Sequence, residues 1–322
     1  MTVLITGGAG FIGSHLIDAL FAQGHAIVCV DDLSLGRVEN IAHHRGRSSF
    51  TFVKFNVLDK DSLRALFAQH QFDCVFHMAA NSDIQQGARQ VNVDLDNTFL
   101  TTFAILECMR DAGTKRIVFA STSAIYGELG MPLHEDVGPL FPISYYGAAK
   151  LASEAYISAF CENCGMQAWI ARFPNVVGER ATHGAMFDFI SRLEHDPRTL
   201  DILGDGTQKK PYLYVRDLVE GILFIWRHAV GKVNCFNLGV DSATTVRRIA
   251  EIVVEEMGLD NVAFAFTGGD RGWVGDVPRF QYDLTKVHAL GWKAGRSSDE
   301  AVRTAVRAEL NDRKRRGKVS EK

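Results

Sequence analysis

The sequence predicts an α/β protein with a Rossmann-type, doubly wound parallel sheet and a smaller C-terminal α/β domain. Short apolar strand candidates alternate with amphipathic helical patterns, which is typical of a parallel sheet with helices on both faces. A glycine-rich turn also joins the first strand candidate to the first helix candidate. With 322 residues, the chain is long enough for one large or two modest domains.

The predicted strands of the sheet lie at residues 3–6, 26–30, 50–55, 74–78, 116–120 and 167–171. The first helix is predicted over 11–23, and the two longest helices between strands over 92–111 and 145–163. Later strands are predicted at 212–215, 233–238 and 263–266, and later helices at 217–228 and 246–257. A capping box, Ser297-x-x-Glu300, predicts the start of a terminal helix.

The domain division follows from the loss of regular alternation after residue 173. Residues 1–173 are predicted to form the first domain together with about 212–234, where a helix flanked by strands returns. Residues from about 174–211 and 235–312 are predicted to form the second domain. The run Arg313-Lys-Arg-Arg316 predicts a solvated basic tail over 313–322.

Composition excludes several classes of partner. The formal net charge is −3 and no half of the chain is basic, so we expect no nucleic-acid partner. No apolar stretch approaches the ~20 residues that span a bilayer. The first strand candidate begins at Val3, which leaves no room for a leader. We therefore expect a cytoplasmic protein with no membrane partner.

The cysteines and histidines predict no metal site. Several of the six cysteines fall in apolar runs and are expected to be core thiols. The one CxxC pair, Cys161 and Cys164, has no second pair to complete a four-ligand zinc site. His43 and His44 lie in a polar loop, with no partner that resembles a ligand set.

The turn Thr6-Gly-Gly-Ala-Gly-Phe-Ile-Gly13 predicts a dinucleotide site. Its spacing is GxxGxxG, from Gly7 through Gly10 to Gly13, and it ends a strand and opens a helix. Such a turn brings backbone N–H groups and a helix N-terminus against a pyrophosphate. We expect Phe11 and Ile12, in the same turn, to contact the cofactor.

Asp31 follows the second predicted strand, about twenty residues past the turn. A carboxylate there accepts hydrogen bonds from the adenosine ribose and repels a 2′-phosphate, which favours NAD over NADP. Asp32 could share or replace this role. Arg37 is the one nearby cation that could weaken the preference for NAD over NADP. The alternative is that Asp31 is only a turn residue at the end of the strand.

Tyr146 and Lys150 are four residues apart, on one face of a predicted helix. An ammonium near a phenol favours the phenolate, which can take a proton from an alcohol as hydride leaves the same carbon. We expect Lys150 and a positive nicotinamide ring to lower the pKa of Tyr146. The pattern predicts redox chemistry on a secondary alcohol, with Tyr145 as a competing phenol.

Ser121, Thr122 and Ser123 directly follow a predicted strand, at the carboxyl edge where ligands of parallel sheets bind. Their hydroxyls are candidates to position the reacting alcohol beside Tyr146. The alternative is that they cap a turn or a helix.

Taken together, the motifs resemble the extended short-chain dehydrogenase/reductases of the nucleotide-sugar epimerase and dehydratase family. The matching segments are TGGAGFIGSHL from Thr6, HMAA from His77, STSAIYG from Ser121, YYGAAK from Tyr145, RFPNVVG from Arg172, GDGTQKKPYLYVRD from Gly204 and GDV from Gly275. The resemblance implies tightly bound NAD in the first domain and a nucleoside-diphosphate sugar held by the second. It also implies a homodimer formed through a four-helix bundle of the helices at 92 and 145.

The resemblance assigns roles by position. Thr122 matches the hydroxyl that bonds the sugar, Tyr146 the base, and Lys150 its ribose-bonding partner, with Ser123 beside them on the substrate side. Asn175 matches an asparagine near the sugar diphosphate. The further cofactor contacts that it implies are Asn56 and Val57 at the adenine, and Ala79 and Ala80 of the HMAA segment.

Some of the family's diphosphate contacts are altered in this chain. Lys210 stands where the family usually has an arginine, and it can neutralise phosphate without bidentate geometry. Trp273 replaces the arginine expected two residues before Gly275, with Arg271 displaced to its other side. Arg271 and Asp276 are the remaining candidates for substrate binding.

The residues after Thr122 separate the reactions of the family. The 4,6-dehydratases place an Asp-Glu pair there and the decarboxylases usually a glutamate at the second position, whereas this chain has Ser123 and Ala124. The resemblance therefore implies a 4-epimerase, with UDP-glucose and UDP-galactose as the default substrates. A nucleotide-sugar dehydrogenase, an epimerase acting at another carbon and a non-catalytic NAD-binding sensor remain the alternatives.

Overall fold

The computed structural model describes residues 1–130, 132–269, 271–272 and 277–320. Its centre is a parallel sheet of seven strands. In chain order these are β1 (Thr2–Thr6), β2 (Ala26–Val30), β3 (Phe50–Val53), β4 (Cys74–His77), β5 (Arg116–Thr122), β6 (Gln167–Phe173) and β11 (Val233–Asn237). The strand order across the sheet is β11-β6-β5-β4-β1-β2-β3, with the reversal beside β1 that marks a doubly wound fold.

Among the described residues, three two-stranded sheets lie outside the central sheet. They are built from β7 (Asn175–Val177), β8 (Thr199–Ile202), β9 (Lys209–Lys210), β10 (Tyr212–Tyr214), β12 (Thr244–Thr245) and β13 (Ala263–Phe266). β10 pairs with β7 and β13 with β8 in parallel, and β12 pairs with β9 antiparallel.

The helices are α1 (Phe11–Ala22), α2 (Lys60–Gln69), α3 (Ile84–Arg89), α4 (Val91–Asp94), α5 (Thr101–Ala112), α6 (Tyr145–Cys164), α7 (Ala185–His195), α8 (Val215–His228), α9 (Val246–Met257), α10 (Thr285–Leu290) and α11 (Ser298–Ser320). Short 3₁₀ segments cover Val38–His44 and Ser123–Tyr126. A π-helical segment, Leu95–Leu100, joins α4 to α5.

The central sheet is buried on both faces, as its apolar strands predict. Val3 and Ile5 of β1 belong to a core with residues of α1 and α8, whereas Leu4 between them belongs to a core with residues of α2, α5 and α6. This alternation follows from the two-residue period of a strand. The predicted doubly wound parallel sheet is confirmed.

A third core supports the region after β6. Apolar residues of α7, α9 and α11 pack there against β8 and β10. α8 instead packs against α1, and β11 pairs with β6 at the edge of the central sheet. The chain therefore leaves the central sheet after β6 and returns to it at α8 and β11.

Two local predictions differ from the structure. The helix predicted over 92–111 is interrupted by the π-helical segment, where the hydroxyls of Thr101 and Thr102 both donate to the Thr98 carbonyl. Such side-chain bonds compete with the helix ladder. The last helix continues through Ser320, and Arg313 donates to Glu309 at 2.7 Å, so the segment predicted as a tail begins inside a helix.

The predicted capping box is present at the start of α11. The Ser297 amide donates to the Glu300 carboxylate at 2.8 Å, and the Glu300 amide donates to the Ser297 hydroxyl at 3.3 Å. Each side chain thus satisfies a backbone N–H that the first turn leaves without a helical partner.

A buried ion pair fixes α6 to the sheet. Arg172 of β6 donates to Glu154 of α6 at 2.6 Å, and the Ser121 hydroxyl of β5 donates to the same carboxylate at 2.5 Å. Arg172 also donates to the Tyr126 hydroxyl at 2.9 Å. Because all of these groups are buried, removing one partner leaves a charge without compensation.

Replacing Arg172→Met is expected to lower the free energy of unfolding by about 3–5 kcal/mol, because it leaves the Glu154 carboxylate buried and unpaired. Urea-induced unfolding followed by circular dichroism measures this. The matched control is Lys232→Met, which breaks the exposed Lys232–Glu162 pair, 2.8 Å long, and should cost less than about 1 kcal/mol. Equal losses in the two variants would contradict the assigned role of the buried pair.

Candidate active site

A cleft of ≈ 480 Å³ lies against the carboxyl ends of β1, β2, β4 and β5. We call it the glycine-turn cleft. All of the residues predicted to contact the cofactor line it, namely Gly7, Gly10, Phe11, Ile12, Gly13, Asp31, Asp32, Asn56, Val57, Ala79, Ala80, Tyr146 and Lys150. Thr122 and Asn175 line it as well. The structure thus brings the two ends of the predicted site into one continuous space.

The glycine turn is a close-packed cradle. Gly7 has φ +66°, and a Cβ there would lie 2.7 Å from the Ala79 nitrogen. A Cβ on Gly13 would lie 2.2 Å from the Gly7 carbonyl oxygen. Only glycine fits at these two positions. The turn therefore keeps the N-terminus of α1 open to the cleft, where backbone N–H groups can bind a pyrophosphate.

Asp31 and Asp32 have different partners. The buried Asp31 carboxylate accepts hydrogen bonds from the Ala9 amide at 2.9 Å and the Leu33 amide at 2.8 Å. Burial raises the pKa of this carboxyl, and the two amide donors oppose the shift. Asp32 accepts a hydrogen bond from the Asn56 side chain at 2.9 Å. Asp31 is therefore tied to the glycine turn, whereas Asp32 positions Asn56.

Tyr146 stands at the start of α6, next to the end of β5. Ser144 caps the helix by accepting from the Gly147 amide at 3.0 Å, and a Cβ on Gly147 would lie 2.5 Å from the Ala124 carbonyl oxygen. This close approach places Tyr146 in the same cleft as Thr122, whose hydroxyl acts to lower the pKa of the Tyr146 phenol. Thr122 accepts from the Ala124 amide at 3.2 Å, which is the capping role.

Lys150 lies one turn further along α6 and is almost completely buried. Its Nζ donates to the Ala120 carbonyl oxygen at 2.6 Å and lies 5.9 Å from the centre of the Tyr146 ring. Burial lowers the pKa of Lys150 to about 7, although the negative charges of Glu154 and Asp94 oppose the shift. Near neutral pH this side chain is therefore poised between its two protonation states.

The lowered pKa expected for Tyr146, which includes the effect of a positive nicotinamide ring, is not produced by Lys150 alone. Burial raises the pKa of the phenol above its ordinary value of 10.0, and the Thr122 hydroxyl opposes only part of that shift. Since Lys150 donates to Ala120 rather than to the phenol, the residues of this chain alone do not produce the expected phenolate.

A second cleft of ≈ 460 Å³ adjoins the first, and we call it the Lys210 cleft. Both clefts share the lining residues Ser82, Ile84, Asn175, Val176 and His183. Lys210 is nearly buried in this second cleft, beside Gln208. Asn175 therefore lies at the junction, with Lys210 on the far side from Tyr146.

The other predicted substrate contacts are less well placed. Arg271 forms an ion pair with Glu128 at 2.5 Å, and its neighbour Gly272 lines the Lys210 cleft. Ser123 follows Thr122 but is not part of the lining of either cleft. Asp276 and Trp273 lie outside the residues that the structure describes.

Sequence reasoning missed several residues at the clefts. Arg180 and His183 line the glycine-turn cleft from the loop that follows β7, a region without regular periodicity. The statement that His43 and His44 lack a suitable partner is wrong, because both Nε2 atoms lie 2.7 Å from Asp18. Asp18 is on α1, 25 residues before His43, so nothing in the local pattern reveals the contact.

Comparison with known proteins shows the family of this chain. A model of the NAD dependent epimerase/dehydratase family matches residues 3–239. The chain belongs to this family. The resemblance inferred from the motifs is thereby confirmed, and NAD is the cofactor of the family. The glycine cradle, with the helix N-terminus behind it, fits that dinucleotide.

Similar family members match over almost their full length. UDP-glucose 4-epimerase of Mycolicibacterium smegmatis is 31% identical over 313 residues, 95% of this chain and 97% of that protein. The solved structure of Thermotoga maritima UDP-glucose 4-epimerase with UDP-glucose is 31% identical, with a TM-score of 0.87 over 97% of this chain and 99% of that one. The UDP-glucose 4-epimerase of Thermus thermophilus, solved with NAD, is 29% identical, with a TM-score of 0.84 over 96% and 98%.

Within the described parts of the chain, no helix combines the length and the apolarity that crossing a bilayer requires.

Burial of Lys150 predicts a pH-dependent stability. Its pKa is about 7 in the folded, cofactor-free protein against an ordinary value of 10.5, so between these values the unfolded chain binds more protons. Stability should therefore rise with pH, by about 2 kcal/mol between pH 7 and pH 9 from this group alone. Urea-induced unfolding at both pH values should show that Lys150→Met removes this part of the rise.

Lys232→Met is the control, since that lysine is exposed. It should keep the pH dependence of the parent protein. If Lys150→Met kept the full dependence too, the buried ammonium would not be its source.

Proposed function

We propose that the protein is an NAD-dependent UDP-hexose 4-epimerase. The observation that carries the proposal is the placement of Thr122, Tyr146 and Lys150 at the end of β5 and the start of α6, in a cleft that opens into a second one. The two positions after Thr122 hold Ser123 and Ala124, so no carboxylate stands there to remove water or to assist decarboxylation.

Tyr146 is the proposed base. Its phenolate would take the proton of the sugar's C4 hydroxyl, and the phenol so formed would later return that proton to the C4 oxygen. Thr122, which lines the same cleft as Tyr146, is proposed to orient the C4 oxygen. The glycine turn from Gly7 to Gly13 would hold NAD, which would supply the acceptor for the C4 hydride and the donor that returns it to the opposite face of the 4-keto sugar.

Lys150 acts by charge and position. Its ammonium is held by the Ala120 carbonyl oxygen beneath the Tyr146 ring, where a positive charge favours the phenolate. Burial lowers the pKa of Lys150 to about 7. We therefore expect its full effect on the phenolate only when the bound cofactor and substrate keep Lys150 protonated.

The Lys210 cleft is the proposed site of the nucleoside diphosphate. Lys210 places a positive charge in a largely buried position, and Asn175 stands at the junction with the glycine-turn cleft. A diphosphate in the Lys210 cleft would direct the attached sugar toward Tyr146. The three relatives described above are all UDP-glucose 4-epimerases by name, which supports the same choice of reaction and nucleotide.

Tyr146→Phe should lower the rate of interconversion of UDP-galactose and UDP-glucose by about 10²- to 10⁴-fold, the usual contribution of a general acid–base group. The rate is measured by proton NMR on the purified variants. Tyr145→Phe is the matched control, because it removes the neighbouring phenol, which is half exposed. It should keep nearly the parent rate.

Normal turnover by Tyr146→Phe would contradict the role of this phenol. Accumulation of one NADH per sugar by the parent protein would replace the proposal with a dehydrogenase. No turnover of any C4-epimeric nucleotide sugar would overturn the proposed reaction.

A homodimer is also proposed, through the face formed by α5, α6 and the π-helical segment. Tyr156 of α6 packs edge-on against Phe99 and Phe103, with ring centres 5.1 and 5.6 Å away. Tyr156 and Leu95 nevertheless remain nearly half exposed. An exposed apolar patch of this kind is typical of a protein–protein interface.

Leu95→Glu is expected to convert the proposed dimer into single chains, because it places a charge in the centre of an apolar contact. Light scattering coupled to gel filtration measures the mass. Val230→Glu is the control, since Val230 is 87% exposed in the turn between α8 and β11. A parent protein that runs at the mass of one chain would contradict the dimer.

A further inference from the structure

Arg180 has a buried donor that nothing among the described residues satisfies. It follows β7 in the loop that lines the glycine-turn cleft. Its Nη1 is buried and lacks a hydrogen-bond partner. Leaving a charged donor buried without an acceptor is costly, so this nitrogen points to a ligand that the cleft receives.

The other terminal nitrogen of Arg180 is anchored. Nη2 donates to the Asp18 carboxylate of α1 at 2.8 Å. The second oxygen of Asp18 lies 2.7 Å from Nε2 of both His43 and His44. Asp18 therefore fixes one edge of the guanidinium against α1 and leaves the Nη1 edge available.

The backbone at this point also has an unusual conformation. Arg180 has φ +68°, a left-handed value that is uncommon outside glycine. The preceding residue is held by a contact of 2.9 Å between the Glu179 carbonyl oxygen and His15 Nε2. Strain of this kind persists where the surroundings impose it, often at ligand sites.

Neighbouring acids do not neutralise the free edge. Glu179 accepts from the Tyr214 hydroxyl at 2.8 Å and pairs with Arg216 at 3.1 Å. The Asp18 carboxylate is shared by Arg180 and two histidines. The Nη1 donor is therefore available to an anion.

The charges around the cleft indicate which anion. Among the described residues that line the glycine-turn cleft, Lys150 and Arg180 are the lysine and arginine side chains. Lys150 donates to the Ala120 carbonyl oxygen, at the reactive end. The glycine turn and the first turn of α1 offer backbone donors to a pyrophosphate, but no basic side chain. A cation near that turn would further stabilise a doubly charged pyrophosphate.

We propose that Arg180 binds the pyrophosphate of NAD through Nη1, with Asp18 as its positioning residue. The contact is a charge-assisted hydrogen bond, which is stronger than one between neutral groups. A substrate diphosphate is the other phosphate source, but Arg180 does not line the Lys210 cleft. The proposal depends on NAD binding and not on which sugar is epimerised.

The test compares NADH binding by the parent protein with binding by Arg180→Ala and Arg180→Lys, using cofactor fluorescence and the NAD content of the purified proteins. Arg180→Ala should raise the dissociation constant of NADH about 10- to 100-fold. Arg180→Lys keeps the charge and the backbone strain but loses the planar fork, so its loss should be smaller. Asp18→Asn should fall between the parent and Arg180→Ala.

Arg216→Ala is the matched control. It removes a mainly exposed cation that pairs with Glu179, the residue before Arg180. It should bind NADH like the parent. Affinity for UDP should stay within about twofold in every variant. If Arg180→Ala does not fold, as judged by circular dichroism, the comparison rests on Arg180→Lys.

Three results would overturn the proposal. They are unchanged NADH affinity in a folded Arg180 variant, an equal loss in Arg216→Ala, and a loss of UDP affinity in place of NADH affinity. The last result would assign Arg180 to the substrate. If the parent protein bound NADH as expected but had no epimerase activity, that result would contradict only the proposed reaction and not the role of Arg180.

Discussion

The attachment of α6 to the sheet is the constraint on which the reactive end of the site depends. Two polar side chains, one turn apart, make it: Lys150 donates to the carbonyl oxygen of Ala120 at 2.6 Å, and Glu154 pairs with Arg172 at 2.6 Å. Both contacts are buried, so they are costly to break. They hold the first turn of α6 against the end of β5, where Tyr146 meets Thr122. A change in either attachment would move the phenol relative to both clefts.

The two clefts differ in the groups that they offer to a ligand. The glycine-turn cleft offers backbone donors and closely packed glycines, which suit a long, flat dinucleotide. The Lys210 cleft offers a nearly buried cation and apolar walls, which suit a nucleoside diphosphate. Asn175, at the junction of the clefts, belongs to both. In the proposed reaction, the chemistry takes place at the short stretch of surface formed by Thr122 and Tyr146.

Much of the fold and of the cofactor site could be predicted from the sequence because both depend on short-range patterns. The turn from Gly7 to Gly13 needs glycines at fixed spacing, and Tyr146 and Lys150 share a helix face by periodicity. The rest depends on contacts between distant segments. Arg180 meets Asp18 across 162 residues, and the raised pKa of Tyr146 arises from burial, which no motif reports. The π-helical segment likewise follows from where particular threonine hydroxyls bond, not from apolar periodicity.

The central claim is that a hydride leaves C4 of the sugar and returns to the same carbon within one active site. Proton NMR of the protein with UDP-galactose in D₂O, with NADH absorbance followed in parallel, tests this most directly. We expect UDP-glucose that carries no deuterium on carbon, with no build-up of NADH. Deuterium next to the carbonyl position, or NADH released in step with the sugar consumed, would contradict it.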